Sequence, residues 1–188
     1  MPLTRIQSLG ITDGTIVNAD INASAAIAGT KLSAGAVLQV VSTAKTDTFS
    51  SSTGSYIDIT GLSVSITPSS TSNKILILSD IRFSTNAAAC FAFFKLVRGS
   101  TDIYLGDVDG SRSRGFGGGI VADSATTTQV SSVFLDSPST TSSTTYKIQI
   151  YNQNAASFTI YVNRPYSDAN NASYLRATSS ITALEIKG

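Results

Sequence analysis

The side chains best spaced to hold a ligand lie in one stretch of the 188-residue chain, LGDVDGSRSRGFGGG at positions 105–119. Asp107 and Asp109 are two positions apart and are followed by Gly110, as at the start of a calcium-binding loop. The acidic residue that completes such a loop does not follow, so the match is partial. We therefore predict no metal site.

The same stretch carries two arginines, Arg112 and Arg114, directly before a run of glycines. Such a segment could form a mobile basic loop that contacts an acidic glycan or a neighbouring subunit. The simpler interpretation, which we favour, is a solvated surface loop in which an aspartate pairs with an arginine. The residues kept as candidates for ligand binding by this loop are Asp107, Asp109, Arg112 and Arg114.

The chain lacks the side chains that most classes of enzyme need for catalysis. The chain has no histidine, the commonest general base and metal ligand, and Cys90 is its single cysteine. No nucleophile elbow, P-loop or dinucleotide-binding glycine pattern occurs. A hydrolase built on a carboxylate pair is the class left open, but none of the 12 acidic residues has a suggestive context. We expect no enzyme activity and no cofactor, and we expect Cys90, within AAACFAFF, to be a core residue.

Charge and hydropathy restrict the partners. A formal net charge of +1 provides no field that would attract nucleic acid or an anionic membrane. Only 13% of the residues are charged, about half of the usual share, which is typical of a protein packed in an assembly or placed outside a cell. No apolar run approaches the roughly 18 residues of a membrane span, and the first ten residues lack a signal-peptide core. We therefore expect synthesis in a cytoplasm.

From about residue 36 onward, short runs of alternating apolar residues predict β-strands. YIDIT places Ile57 and Ile59 on one face, and LSVSIT does the same for its Leu, Val and Ile. Eight to ten strands without an amphipathic helix predict an all-β sandwich of the jelly-roll type. The remaining runs are KILILSDIRF, CFAFFKLV, GGIVAD, QVSSVFLD, YKIQIY, FTIYVN and SSITALEIK.

Tyrosines are concentrated in the second half of the chain and could stack on sugar rings. Tyrosine also suits half-buried sheet positions and interfaces, which is the interpretation that we favour for most of them. They are Tyr146, Tyr151, Tyr161, Tyr166 and Tyr174.

Residues 1–35 follow a different rule, because their large apolar residues recur every five positions with one step of six. This spacing fits neither a helix face nor a strand face. One such residue in five cannot form a core within one chain, so the arm would be a thin shaft of several identical chains or an extended segment laid on a partner. A disordered tail is the alternative. The predicted anchors are Ile6, Ile11, Ile16, Ile21, Ile27, Leu32 and Val37. The predicted domains are thus an arm, 1–35, and a sandwich head, 36–188.

The segment DGTIVNADINASAAIAGTKLS, residues 13–33, resembles a stretch in fibre and head-decoration proteins of tailed bacteriophages, notably those of cyanobacteria and marine bacteria. The closing SSITALEIKG is similar to the last strand of their knobs, which share a jelly-roll design with trimers of the tumour necrosis factor type. The resemblance implies a homotrimer in which each subunit carries a thin N-terminal part and a globular head.

Two virion roles follow from this resemblance. A cement protein needs an arm that lies on the major capsid protein and a trimeric head, and it would be located on the capsid surface. A tail-fibre or head-fibre knob would instead bind a host surface glycan through the loop around residues 112–119 and through exposed tyrosines. Fully extended, some 35 residues span at most about 120 Å, which leaves little chain for a separate attachment domain. We therefore favour the decoration role, with neither nucleic acid nor a membrane as a partner.

Overall fold

The structure is a computed structural model, and it describes residues 21–22, 25, 31–121, 125–155 and 157–188. The chain divides into two compact units, Met1–Leu32 and Ser33–Gly188. All the strands described lie in the second unit, and no α-helix occurs among the described residues.

The predicted anchors of the arm are only partly covered by the described residues. Ile21, Leu32 and Val37 have exposed side chains. Four further anchors lie outside the described residues, namely Ile6, Ile11, Ile16 and Ile27. The five-residue pattern therefore stays a prediction.

Within the described ranges, eleven strands form two antiparallel sheets. In the first sheet the order is β1-β11-β4-β10-β2, with β8 paired to the other side of β4; in the second it is β3-β9-β5-β6, with β7 also paired to β5. The strands are β1 (Val37–Lys45), β2 (Phe49–Ser51), β3 (Ile57–Ile66), β4 (Lys74–Thr85), β5 (Ala92–Arg98), β6 (Thr101–Ile103), β7 (Gly117–Gly119), β8 (Thr128–Asp136), β9 (Thr144–Asn152), β10 (Ile160–Val162) and β11 (Ser179–Ile186).

The connectivity is that of a jelly roll. Strands β10 and β11 share one side of β4, since β10 pairs with its end and β11 with its beginning. Strands β6 and β7 share one side of β5 in the same way. Three pairs of short strands can each be counted as one interrupted strand, namely β1 with β2, β6 with β7, and β10 with β11. The chain then has eight strands, numbered 1 to 8 along the described sequence. Their order is 1-8-3-6 in the first sheet and 2-7-4-5 in the second. This arrangement of two four-stranded Greek-key layers confirms the predicted all-β sandwich.

The core lies between the two sheets and is built from alternate residues of the long strands. In β4 the inward positions are Ile75, Ile77, Ile81 and Phe83, all at most 1% exposed. Phe83 meets Phe94 of the second sheet with ring centroids 4.9 Å apart. Each such side chain contributes about 1.5–3 kcal/mol by leaving water, so these contacts hold the two sheets together.

A β-bulge joins two predicted strands into β3. The pairing with β9 shifts between Asp58 and Ser63, and Gly61 has a φ of +80°. This interval holds three more residues in β3 than in β9. Because that number is odd, the alternation reverses, so Ile59 and Leu62 both point inward although they stand three positions apart. This explains why the sequence places apolar residues at odd positions before the bulge and at even positions after it.

The strand predictions differ from the structure mainly in short elements. GGIVAD predicts a strand from Gly118 onward, whereas β7 covers Gly117–Gly119. The three-residue strands β2 and β6 have no alternation long enough to be recognised.

Candidate functional site

The four predicted loop residues all have exposed side chains. Arg112 and Asp109 form an ion pair of 2.9 Å in which both side chains are largely exposed, which is the surface pair that the sequence favours. Arg114 donates from Nε to the carbonyl oxygen of Gly106 at 2.7 Å. Asp107 is exposed, and within the described part of the chain no three acidic, histidine or cysteine side chains come together as metal ligands.

The glycine run that follows these arginines is packed against β5. The Phe116 amide donates to the carbonyl oxygen of Phe94 at 3.0 Å, and β7 continues the pairing. A Cβ atom on Gly115 would overlap the carbonyl oxygen of Phe94, and one on Gly118 would overlap that of Ala92. The glycines therefore allow a close backbone approach and do not form the free basic loop considered from the sequence.

An aromatic row crosses the outer face of the second sheet beside this segment. Neighbouring ring centroids are 6.5 Å apart for Phe91 and Phe93, 6.1 Å for Phe93 and Tyr151, and 5.1 Å for Tyr151 and Tyr56. Phe93 and Tyr151 are direct partners in the β5–β9 pairing. Phe91 is 38% exposed and the other three rings are half-buried. We call these four rings, of Tyr56, Phe91, Phe93 and Tyr151, the aromatic row.

Polar side chains along the aromatic row are held by one another. Lys95 Nζ lies 4.3 Å from the ring centroid of Tyr56 and 2.8 Å from a carboxylate oxygen of Asp102. Asp58 accepts hydrogen bonds from Lys147 at 2.8 Å and from Gln149 at 2.6 Å. Desolvation alone would raise the pKa of Asp58, but these two hydrogen bonds hold it below its ordinary value of 3.8.

Tyr56 anchors one end of the aromatic row. Its hydroxyl donates to the carbonyl oxygen of Arg114 at 2.7 Å. Burial, with the nearby Tyr151 and Asp102, raises the pKa of Tyr56 to about 12. The phenol therefore stays neutral at physiological pH and keeps its hydrogen bond to the loop.

Neither a protein-family model nor a curated protein matches this chain. Among the described residues, moreover, no helix has the length and hydropathy needed to cross a membrane.

The outer face of the first sheet is unusually apolar. The strand pairings place Leu135, Leu76, Leu184 and Val40 in one row across β8, β4, β11 and β1. Val133 and Leu78 are partners in the next row. Val133 is 63% exposed and Val40 is 56% exposed. We call this surface the apolar face; its residues are Val40, Leu76, Leu78, Val133, Leu135 and Leu184.

Two opposite charges lie on β4 further along the same face. Asp80 and Arg82 are two positions apart, and the pairing sets Asp80 beside Ser131 and Ser180. Oδ1 of Asp80 is buried and accepts no hydrogen bond from the described residues. The ion pairs formed within the described part of the chain include neither Asp80 nor Arg82.

The predicted tyrosines separate into different environments. Tyr146 is fully buried in the core, and Tyr151 belongs to the aromatic row. Tyr161 lies under the guanidinium of Arg164, whose carbon is 4.0 Å from the ring centroid, and next to Tyr166. Tyr174 lines a cavity of about 260 Å³ in the connection from β10 to β11.

That cavity is a weaker candidate for ligand binding, because its charged groups are paired. Asp168 lies 2.6 Å from Arg176 and 3.8 Å from Arg164. The aromatic row and the apolar face each join residues from several strands, and neither could be recognised from positions in the sequence alone.

Proposed function

We propose that this protein is a structural, non-enzymatic subunit that self-associates into a homotrimer through the apolar face and decorates the head of a tailed bacteriophage. The observation that carries the proposal is the row of aliphatic side chains across four strands on the solvent side of the first sheet. A sheet face in contact with water normally carries polar residues, whereas a contiguous apolar patch indicates an interaction site.

The charges on the same surface support a second copy of the chain as the occupant. Asp80 is a half-buried carboxylate that forms no ion pair among the described residues. Arg82, on the same face, is a cation without an ion pair among the described residues. Because each copy carries both an acceptor and a donor, a neighbouring copy can satisfy Asp80 with its own Arg82. An acidic or basic partner would satisfy only one of the two.

The resemblance of residues 13–33 to segments of phage decoration and fibre proteins supports the virion role and the trimer. In this role the arm docks on the major capsid protein and the head stabilises the shell. Low charge suits many small contacts with a protein surface, and three arms per trimer multiply a weak affinity through avidity. A fibre knob would share the trimer but would be located on the tail or at the tip of a head fibre.

The oligomeric state tests the interface. The full chain, measured by light scattering during size exclusion, is expected to have three times its 19.5 kDa mass. Val133→Asp places a charge at the most exposed position of the apolar face and is expected to give monomers. Val108→Asp is the matched control, because Val108 is 74% exposed in a loop away from that face. A monomeric parent chain, or a trimer unaffected by Val133→Asp, would contradict the proposal.

The location is tested separately. Phage particles stripped of the protein are expected to rebind the purified full chain on the head and to regain resistance to heat or dilution. Binding to tails with none to heads would favour the fibre role and would leave the trimer interface unaffected.

A further inference from the structure

We propose that the aromatic row on the second sheet is a binding site for a neutral polysaccharide. The site lies on the opposite side of the sandwich from the apolar face, so it remains accessible when copies associate through the first sheet. The proposal goes beyond the decoration role and does not depend on it.

Packing of the core does not explain why four aromatic rings lie on a solvent-facing surface. The inward neighbours of Phe93 are Ala92 and Phe94, which already fill the space between the sheets. Phe93 and Tyr151 instead point outward from adjacent strands, and Phe91 and Tyr56 extend the row on either side. Neighbouring rings lie 5.1–6.5 Å apart, so one extended polysaccharide chain can contact more than one of them. Aromatic rings attract the weakly positive C–H groups of a sugar through their negative faces.

The polar flank of the aromatic row matches hydroxyl groups rather than a charged polymer. Lys95 and Lys147 are each paired with an aspartate, Asp102 and Asp58 respectively, so the four charges cancel. Gln149 adds an amide between them. This flank offers donors and acceptors without net charge. Single-stranded nucleic acid also stacks on aromatic rows, but it requires an excess of cations along its backbone, and that excess is absent among these four residues.

The site is also held in place before any ligand arrives. The Tyr56 hydroxyl is tied to the carbonyl of Arg114, while Lys95 is fixed between the Tyr56 ring and Asp102. The glycine run pairs with β5 in the same sheet beside these groups, as Gly115 and Gly118 permit. Groups fixed in this way lose little conformational entropy on binding, which favours affinity for a flexible polysaccharide.

Affinity electrophoresis of the full chain in native gels tests the proposal. The gels would contain hydroxyethyl cellulose, laminarin or mannan, with alginate as an anionic comparison. Retardation by at least one neutral polymer is expected. Phe93→Ala and Tyr151→Ala are each expected to weaken it about tenfold, as the loss of one aromatic contact implies. Tyr166→Ala is the control, because Tyr166 is an exposed aromatic residue outside the row.

Each outcome is decisive once near-ultraviolet circular dichroism and thermal melting show that the variants fold. The absence of retardation in all three neutral polymers would overturn the proposal. So would retardation by alginate alone, equal retardation of the row variants and the parent, or tight binding of a single-stranded oligonucleotide with a steep salt dependence. Because Phe93→Ala and Tyr151→Ala leave the apolar face intact, they are expected to remain trimeric. Loss of polysaccharide binding is thereby separated from failure of the proposed assembly.

Discussion

Tyr146 donates its phenolic hydrogen to Oδ2 of Asp136 over 2.6 Å, and both side chains are buried. This bond joins the two sheets, because Asp136 ends β8 in the first sheet and Tyr146 lies in β9 of the second. Arg98, at the end of β5, contacts both carboxylate oxygens of Asp136 from Nη1, at 2.9 and 2.8 Å. Burial and the bond to Asp136 together raise the pKa of Tyr146. The phenol therefore remains a donor throughout the neutral range.

Removing either partner of this bond is expected to destabilise the sandwich to different extents. Tyr146→Phe deletes one hydrogen bond but leaves Asp136 paired with Arg98, so we expect a loss of about 1–2 kcal/mol. Asp136→Ala leaves the phenol and the guanidinium without their acceptor, and we expect about 3 kcal/mol. Urea unfolding followed by tyrosine fluorescence measures both. Equal losses would show that the ion pair of Arg98 with Asp136 contributes little to stability.

The sandwich could be predicted from the sequence because its signal is local. Alternation within YKIQIY or KILILSDIRF decides which residues face the core, whatever strand lies alongside. The aromatic row is different, since Phe93 and Tyr151 are far apart in the chain and meet only through the β5–β9 register. The sequence offers Tyr151 for sugar stacking. It does not distinguish the outward residue Phe93 from the core residue Phe94, because that requires knowing which of the two side chains points outward. The apolar face stayed unrecognised for the same reason.

The glycine run shows how a close backbone contact is misjudged from sequence. Glycines next to arginines suggest a flexible loop backbone. In the structure, however, Gly115 lies against the carbonyl of Phe94. We expect Gly115→Ala to cost about 1–3 kcal/mol through overpacking. Gly106→Ala is the matched control in the same segment, because a Cβ there meets nothing within 4 Å. It is expected to leave the midpoint of thermal unfolding within about 2 °C, since surface changes alter stability little. A neutral Gly115→Ala would mean that β7 can separate from β5.

Cys90 is expected to be chemically inert in the folded protein. The side chain is completely buried, as its apolar surroundings predict. Burial raises the pKa of the Cys90 thiol from 9.0 to about 11, against a smaller opposing effect of a backbone hydrogen bond from Asn86. At pH 8 this shift lowers the thiolate fraction about a hundredfold. Ellman's reagent should therefore react with one thiol per chain in guanidinium chloride and negligibly without it; rapid reaction of the native protein would contradict the burial.

Glu185 gives the fold a defined dependence on acidic pH. The side chain is buried near the end of β11 and binds the β3–β4 connection, accepting from the amide and hydroxyl of Ser69 at 2.6 and 2.8 Å and from Asn73 at 2.5 Å. Gln39 of β1 donates to its second oxygen at 2.6 Å. Desolvation would raise the pKa of Glu185, but these donors together hold it below its ordinary value of 4.5.

Because the folded-state pKa of Glu185 is the lower one, the unfolded chain binds its proton first as the pH falls. The stability contributed by Glu185 is therefore complete above its unfolded pKa and is lost as the pH drops below 4.5 through the folded value. Glu185 is the single glutamate of the chain, so selective carbon-13 labelling of glutamate gives one carboxyl resonance whose midpoint reports this pKa directly. Glu185→Gln keeps the shape of the side chain but replaces one oxygen by an amide nitrogen among donors. It should lower the free energy of unfolding at pH 7 and flatten its decline towards pH 3, whereas a midpoint at or above 4.5 in the parent protein would contradict the role of the four donor groups.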